Sequence, residues 1–369
     1  MMNVFLKKTG KYIFTAVLAG ILFLSACRPG SEAETSENVT ETFEVITSEE
    51  TIAETSEEVT TEETVTEQTQ EKTAETLPEV TETQEETTEA QAELPEEKPF
   101  SMAECGPLTD GDRYLFNPTL LSQEFKEYYQ EEGARFYRDF IQAYLNHETV
   151  CRCPSEDYAL ALYDMLEYEC PFYTSADVEY GWATDYDPED GVIRWHYYVE
   201  KDVIDARFEA VKAAVQAFLD LVPVSETDEA VRVQTLYHAF CPLMTYDHEG
   251  NESRQGIDSC YVFTEHHGIC VSFSYAFNFL LESMGMRTTL AHGITDGGEA
   301  HVWSNVTVNG AEYYFDTTFE LNYLGGTAYV YYGMNEQDRA ENGVQAENQN
   351  HGRYSYVEPH IAETHLNPR

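Results

Sequence analysis

Positive charge is what this chain has least of. Its 369 residues carry 21 Lys and Arg against 68 Asp and Glu, a formal net charge of -47 at pH 7. Nucleic-acid binding draws most of its affinity from cationic side chains that neutralise phosphates, so no nucleic-acid partner is expected. Long apolar runs are scarce too. The stretch Ile13 to Phe23 is shorter than the roughly 20 residues a membrane-spanning helix needs, and nothing later approaches that length. Residues 31–100 hold no Asp and almost no aromatic side chain, so that stretch cannot bury enough apolar surface to offset its chain entropy. No Cys-x-x-Cys pair occurs, which removes the commonest zinc and redox signatures.

What is present divides the chain into four parts. Lys7, Lys8 and Lys11 precede the apolar run, which reads as a secretory signal over 1–26. Leu24-Ser25-Ala26-Cys27 then resembles the lipobox of bacterial lipoproteins, in which Cys27 would be lipidated and become the mature N-terminus. Two acyl chains anchor a protein stably where one does not, so the expected location is the extracytoplasmic face of the cell membrane. Residues 27–100 form a Thr/Glu-rich linker; its 31–100 stretch holds 23 Glu against 2 Lys. As a neutral coil this stretch would span roughly 45 Å, and charge repulsion lengthens it. The remaining 101–369 carry the aromatics, and a boundary near 222 separates a mainly helical region, 101–222, from a chemical domain, 223–369.

Apolar spacing predicts helices over 119–144 with a break at Gly133, over 157–168, and over 202–222 with Phe208, Val211, Val215, Phe218, Leu219 and Val222 on one stripe. A strand is expected over 192–199 after a turn-rich 181–191, and Ser225 is the expected N-cap of a helix ending near Phe240. A further helix starts at Cys270, with Phe273, Ala276, Phe277, Leu280, Leu281 and Met284 on one side and Gly285 as its stop. A cysteine at a helix N-terminus has its thiolate, the nucleophilic form, favoured by the macrodipole.

Asn309-Gly310 between strand-like runs predicts a two-residue type I′ turn that pairs Val308 with Ala311. Counting back from the turn places Val302, Ser304, Val306, Val308, Ala311, Tyr313, Phe315 and Thr317 on one face. The other face collects His301, Trp303, Asn305, Thr307, Glu312, Tyr314, Asp316 and Thr318. In that register His301 is opposite Thr318 and diagonal to Asp316, close enough for their side chains to meet. An imidazole beside a thiol removes its proton and later protonates the leaving amine, and a carboxylate on the far ring nitrogen fixes the tautomer.

Three segments then resemble one family. They are Gly268-x-Cys270-x-Ser272-Phe273-Ser274-x-Ala276-Phe277, His301-Val302-Trp303-Ser304-x-Val306, and Tyr313-Tyr314-x-Asp316-x-Thr318-Phe319. Together with the upstream pair Tyr246-Asp247 they resemble the bacterial transglutaminase-like superfamily, related in fold to papain-type proteases, over about residues 225–335. Ser272, Phe273, Ser304 and Phe319 stand where the family has Gly, Tyr, Asn and Trp. The resemblance implies an α+β papain-like core with an antiparallel sheet and a nucleophile-bearing helix. It also implies Cys270 as nucleophile, His301 as base and Asp316 as orienter, acting on peptide or protein amides. Hydrolysis is expected to lead over amine transfer, the alternative being an idle binding module of the same fold. The lipid anchor and stalk suggest a substrate associated with the cell wall.

No cofactor or metal is expected. His266, His267, Cys270 and Cys260 form a competing zinc set, disfavoured by the crowding of adjacent histidines. Six cysteines remain beyond Cys27 and Cys270, namely Cys105, Cys151, Cys153, Cys170, Cys241 and Cys260. They allow 15 pairings, of which Cys241 with Cys260 is favoured.

Overall fold

The computed structural model describes residues 98–178, 186–248, 257–346 and 353–367. The signal segment, Cys27, nearly all of the linker and part of the turn-rich 181–191 lie outside the described residues.

The chain opens with a hairpin of β1 (Leu108–Asp110) and β2 (Arg113–Leu115), then α1 (Gln123–Asn146), β3 (Val150–Arg152) and α2 (Glu156–Glu169). Next come β4 (Tyr186–Asp187), β5 (Val192–Arg194), α3 (Lys201–Leu219) and α4 (Glu229–Phe240). The short β6 (Thr245–Tyr246), α5 (Ser259–Glu265) and β7 (His267–Gly268) lead into α6 (Cys270–Glu282). After α6 the strands β8 (Thr288–Thr295), β9 (Ala300–Val308) and β10 (Ala311–Phe315) run into α7 (Thr317–Glu320), α8 (Glu336–Glu341) and β11 (Val344–Ala346). The main sheet is antiparallel in the order β10-β9-β8-β11. Helices and an antiparallel sheet thus share one α+β core.

Ser122 caps α1 by accepting from Phe125 N-H, so this helix starts later than the spacing predicts. Its break falls at Gln130 and not at Gly133: Gln130 takes φ 56° and ψ -157°, a region nearly reserved for glycine. Gly133 serves the same kink differently, because a Cβ there would lie 2.3 Å from Tyr129 Cβ. The strand expected over 192–199 pairs in a ladder only at Val192–Arg194, with Tyr197 bridging separately to Val178. Ser225 is not a cap. Its backbone N-H and hydroxyl bind Asp112 at 2.6 and 2.9 Å, and Asp228 caps α4 instead.

α6 is the axis of the core. Every residue from Cys270 to Glu282 except Val271 is buried, so the expected single apolar stripe is too narrow a description. α4 packs on it through Tyr237 and Phe240, whose rings lie 5.8 and 5.7 Å from Phe277. α2 approaches from another side, with Tyr168 edge-on to Tyr275 at 5.5 Å. The sheet covers a third side, where Ser274 Oγ donates to Val302 O at 3.4 Å. One apolar cluster runs from Cys105 through α1, α2 and α3 to α6 and Tyr354, so residues 101–222 share one core with residues 223–369.

The β9–β10 hairpin has the register that its turn predicts, Val308 with Ala311 through Ser304 with Phe315, with Asn309 and Gly310 at φ 51° and 84°. Both of its faces are buried. Val302, Val306 and Phe315 face the main core, and Trp303 and Tyr314 enter a second cluster closed by Tyr331, Met334 and Val344. β11 runs so close to β8 that a Cβ on Gly293 would lie 1.9 Å from Gln345 O.

None of the seven described cysteines forms a disulfide, so the expected Cys241–Cys260 bridge is not made. Burial pushes the thiols of Cys105, Cys153 and Cys170 up to about 12 and those of Cys151, Cys241 and Cys260 upward as well. These six are apolar core side chains.

Candidate active site

Cys270 opens α6 after Ile269, which is extended at φ -118° and ψ 179°. Ser272 fixes this start: its hydroxyl accepts Ile269 N-H at 3.0 Å and lies 3.1 Å from Ile269 O. Gly268 is required before it, since a Cβ there would sit 2.5 Å from Ser272 Oγ and 2.9 Å from Val262. Ser272 therefore serves as a local cap. The pair Tyr246-Asp247 lies alongside: β6 runs parallel to β7, and Asp247 N-H donates to Gly268 O at 2.8 Å. Cys270 itself is buried, at 6% exposure. The side-chain hydroxyl one turn later, on Ser274, reaches Cys270 O at 2.9 Å and also Val302 O, the residue after His301.

His301, near the start of β9, is fully buried. Its Nε2-H donates to Asp316 Oδ2 at 2.6 Å, so Nδ1 is the ring nitrogen able to take up a proton. Phe319 stacks on the imidazole with centroids 4.2 Å apart and planes 15° apart, and Trp303 flanks it at 5.9 Å.

The route by which Asp316 reaches His301 differs from the diagonal strand pairing. The ladder ends at Phe315, so Thr318 does not face His301. Asp316 instead becomes the N-cap of α7: Oδ1 accepts from Thr318 N-H at 3.1 Å and Phe319 N-H at 2.9 Å, and Oδ2 is turned to the histidine. Its backbone is held as well, N-H to Tyr331 O at 3.0 Å and carbonyl from Tyr237 hydroxyl at 3.1 Å.

Sequence reasoning missed the layer behind this pair. Glu320 is fully buried and accepts from Tyr329 N-H at 2.6 Å, Tyr331 N-H at 2.9 Å and Tyr237 hydroxyl at 3.3 Å. The available signal was an acidic residue directly after the Asp316-x-Thr318-Phe319 motif, flanked by apolar Phe319 and Leu321. The competing zinc set is not assembled. His266 ends α5 in the left-handed region and is exposed with His267, while Cys260 and Cys270 are buried. Among the described residues no group of three His, Cys, Asp or Glu is placed to hold a metal ion.

Residues 217–316 match the family model of the transglutaminase-like superfamily, so this part of the chain carries a transglutaminase-like core. Three solved structures are similar to about a third of the chain. A TGase has 18% identity, covers 33% of this chain and 34% of its own, and has a TM-score of 0.28. A protein described as a candidate cysteine protease from Cytophaga hutchinsonii has 14% identity over 34% of this chain and 50% of its own, with TM-score 0.25. A candidate protease from Parabacteroides distasonis has 11% identity over 38% and 30%, with TM-score 0.24. The similarity thus spans half or less of each of those proteins. No curated protein sequence matches the chain.

Proposed function

We propose that this is a cysteine enzyme of transglutaminase-like type that breaks peptide or protein amides through a thioester on Cys270. The observation that supports it most is the buried His301–Asp316 contact at 2.6 Å, one residue along β9 from the carbonyl that takes the Ser274 hydroxyl of the Cys270 helix. His301 Nδ1 takes the thiol proton, and the sulfur attacks the substrate carbonyl carbon to give a tetrahedral adduct. The backbone N-H of Cys270 is the first donor for its oxyanion. As the C–N bond breaks, the imidazolium protonates the leaving amine, and the thioester remains. Water then attacks it, giving a proton to His301 that returns to the sulfur as the acid leaves. Asp316 holds the tautomer and supports the imidazolium throughout.

Hydrolysis leads over amine transfer. The net charge of -30 over 101–369, from 45 acids and 15 bases, enriches cationic amines near the protein without orienting one, and water needs no binding site. In this reading Cys27 carries a lipid anchor, 27–100 is the spacer from the membrane, and 223–369 is the catalytic part supported by 101–222. The substrate is then an amide at the cell envelope.

The test is a peptide panel run with and without excess lysine-like amine, with Cys270→Ala as blank and acyl-enzyme read by mass. Cys270-dependent release of acid is expected. Amine-linked product at modest amine concentration would overturn the hydrolase preference, and no Cys270-dependent turnover would favour an idle binding module.

A further inference from the structure

A carboxylate placed fully inside a protein needs donors, and Glu320 has found them on two separate stretches of chain. It belongs to α7, the turn that Asp316 caps, and its own N-H donates to Asp316 O at 3.2 Å. Its two oxygens reach across to the backbone N-H groups of Tyr329 and Tyr331. Tyr331 O in turn accepts from Asp316 N-H, which closes a ring of hydrogen bonds from Asp316 through α7 and Glu320 to residues 329–331 and back. Tyr237, projecting from α4, places its hydroxyl within 3.1 Å of Asp316 O and 3.3 Å of Glu320 Oε2, so it joins the ring to the helix that packs on α6. The same turn carries Phe319, whose ring lies on His301.

Each contact of His301 with Asp316 and Phe319 therefore depends on a one-turn helix. A four-residue helix has little stability of its own. Tyr329 adopts a left-handed φ of 57°, which the Glu320 contact at its N-H helps to hold.

Resting on the cysteine-enzyme reading above, we infer that Glu320 is a positioning residue, a buried carboxylate clamp that sets the orientation of the His301–Asp316 pair, with Tyr237 as its link to the nucleophile side of the core. The groups that face it are Tyr237 and Cys241 from the α4 side, Asp316 within its own turn, and Tyr329 and Tyr331 from the opposing segment. Burial raises the Glu320 carboxyl above its ordinary value while these hydrogen bonds oppose the shift. No group of opposite charge is among them, so its oxygens are met by hydrogen-bond donors alone.

The experiment is the rate of Cys270 alkylation by iodoacetamide from pH 5 to 9 in the parent, Glu320→Gln and Tyr237→Phe, with thermal unfolding followed in parallel. Glu320→Gln keeps the volume but removes the charge and one acceptor. Tyr237→Phe keeps the ring packing and removes only the bridging hydroxyl, which protects the test if the first variant fails to fold. A slowing on the order of tenfold to a hundredfold is expected in the folded variants at pH 6, with a changed pH profile, because small misplacements of a reacting group have effects of that size. A parent Cys270 no more reactive than Cys105 contradicts the enzyme reading and this one with it. A reactive parent whose rate and pH profile persist in folded Tyr237→Phe or Glu320→Gln, with only the unfolding midpoint lowered, overturns the clamp alone.

Discussion

At the scale of single residues, Asp316 divides its two oxygens between tasks that are usually given to different side chains. Oδ1 caps α7 and Oδ2 fixes the tautomer of His301. Asp316→Asn separates the two. An amide oxygen can still cap the turn, but an amide N-H toward Nε2 forces that nitrogen to accept, moves the ring proton to Nδ1 and leaves no base for the thiol. We predict a loss in turnover on the order of 10³- to 10⁴-fold with a small change in unfolding midpoint, checked by kinetics beside thermal melts. Cys270, His301 and Asp316 stood out as candidates from residue type and spacing because each sits beside a strong local signal, and the hairpin register foretold that His301 and Asp316 meet. Glu320 carries only a weak one, an acid between apolar Phe319 and Leu321, and Tyr237 none, since a buried carboxylate and its phenol partner are defined by contacts across the fold.

At the scale of elements, the β9–β10 hairpin was legible because Asn309-Gly310 sets the register by itself. Its end was not. Whether residues 316–320 continue a strand or curl is decided by a cap hydrogen bond and by Tyr331, 15 residues further on. The kink in α1 illustrates the same limit: glycine is a fair marker of a break, yet here it makes room for Tyr129 while Gln130 adopts the unusual backbone. The two positions should respond with opposite signs. Gln130→Gly should stabilise the protein by about 1 kcal/mol by relieving a conformation that disfavours a side chain, whereas Gly133→Ala should cost about 1–3 kcal/mol through overpacking. Urea unfolding midpoints of the two variants check both signs.

At the scale of the whole molecule, α6 is surrounded by helices and sheet, and its far end meets a group of buried acids. Glu282 closes α6, accepts from the hydroxyls of Thr288 and Tyr168, and lies in the field of Glu169 and Glu124. Glu169 accepts from Ser122 N-H and hydroxyl at 2.8 and 2.6 Å. Burial pushes Glu169 up to about 7 and Glu282 well above its ordinary value. The folded state therefore holds protons that the unfolded chain releases near pH 4.5. The stabilisation from Glu169 is complete below that pH and is lost as pH rises through about 7, and Glu282 acts in the same direction. Urea unfolding between pH 5 and 8 should show stability falling with pH, and Glu169→Gln should flatten the slope. The apolar spacing of 202–222 and of the Cys270 helix foretold those helices, but burial of α6 on all sides comes from packing partners that no single segment specifies.

The central claim is that Cys270 differs in kind from the six other described cysteines: it begins a helix whose Ser274 hydroxyl reaches Val302 O, next to His301 on β9. It is tested most directly by limited iodoacetamide labelling of the purified protein at pH 6, with each cysteine mapped by mass spectrometry in the parent and in His301→Ala. The account predicts that Cys270 is modified first, ahead of Cys105, Cys153 and Cys170, whose thiols burial has pushed up to about 12, and that its labelling slows at least about tenfold without His301. Labelling of Cys270 no faster than the buried cysteines, or a rate indifferent to His301, would contradict it.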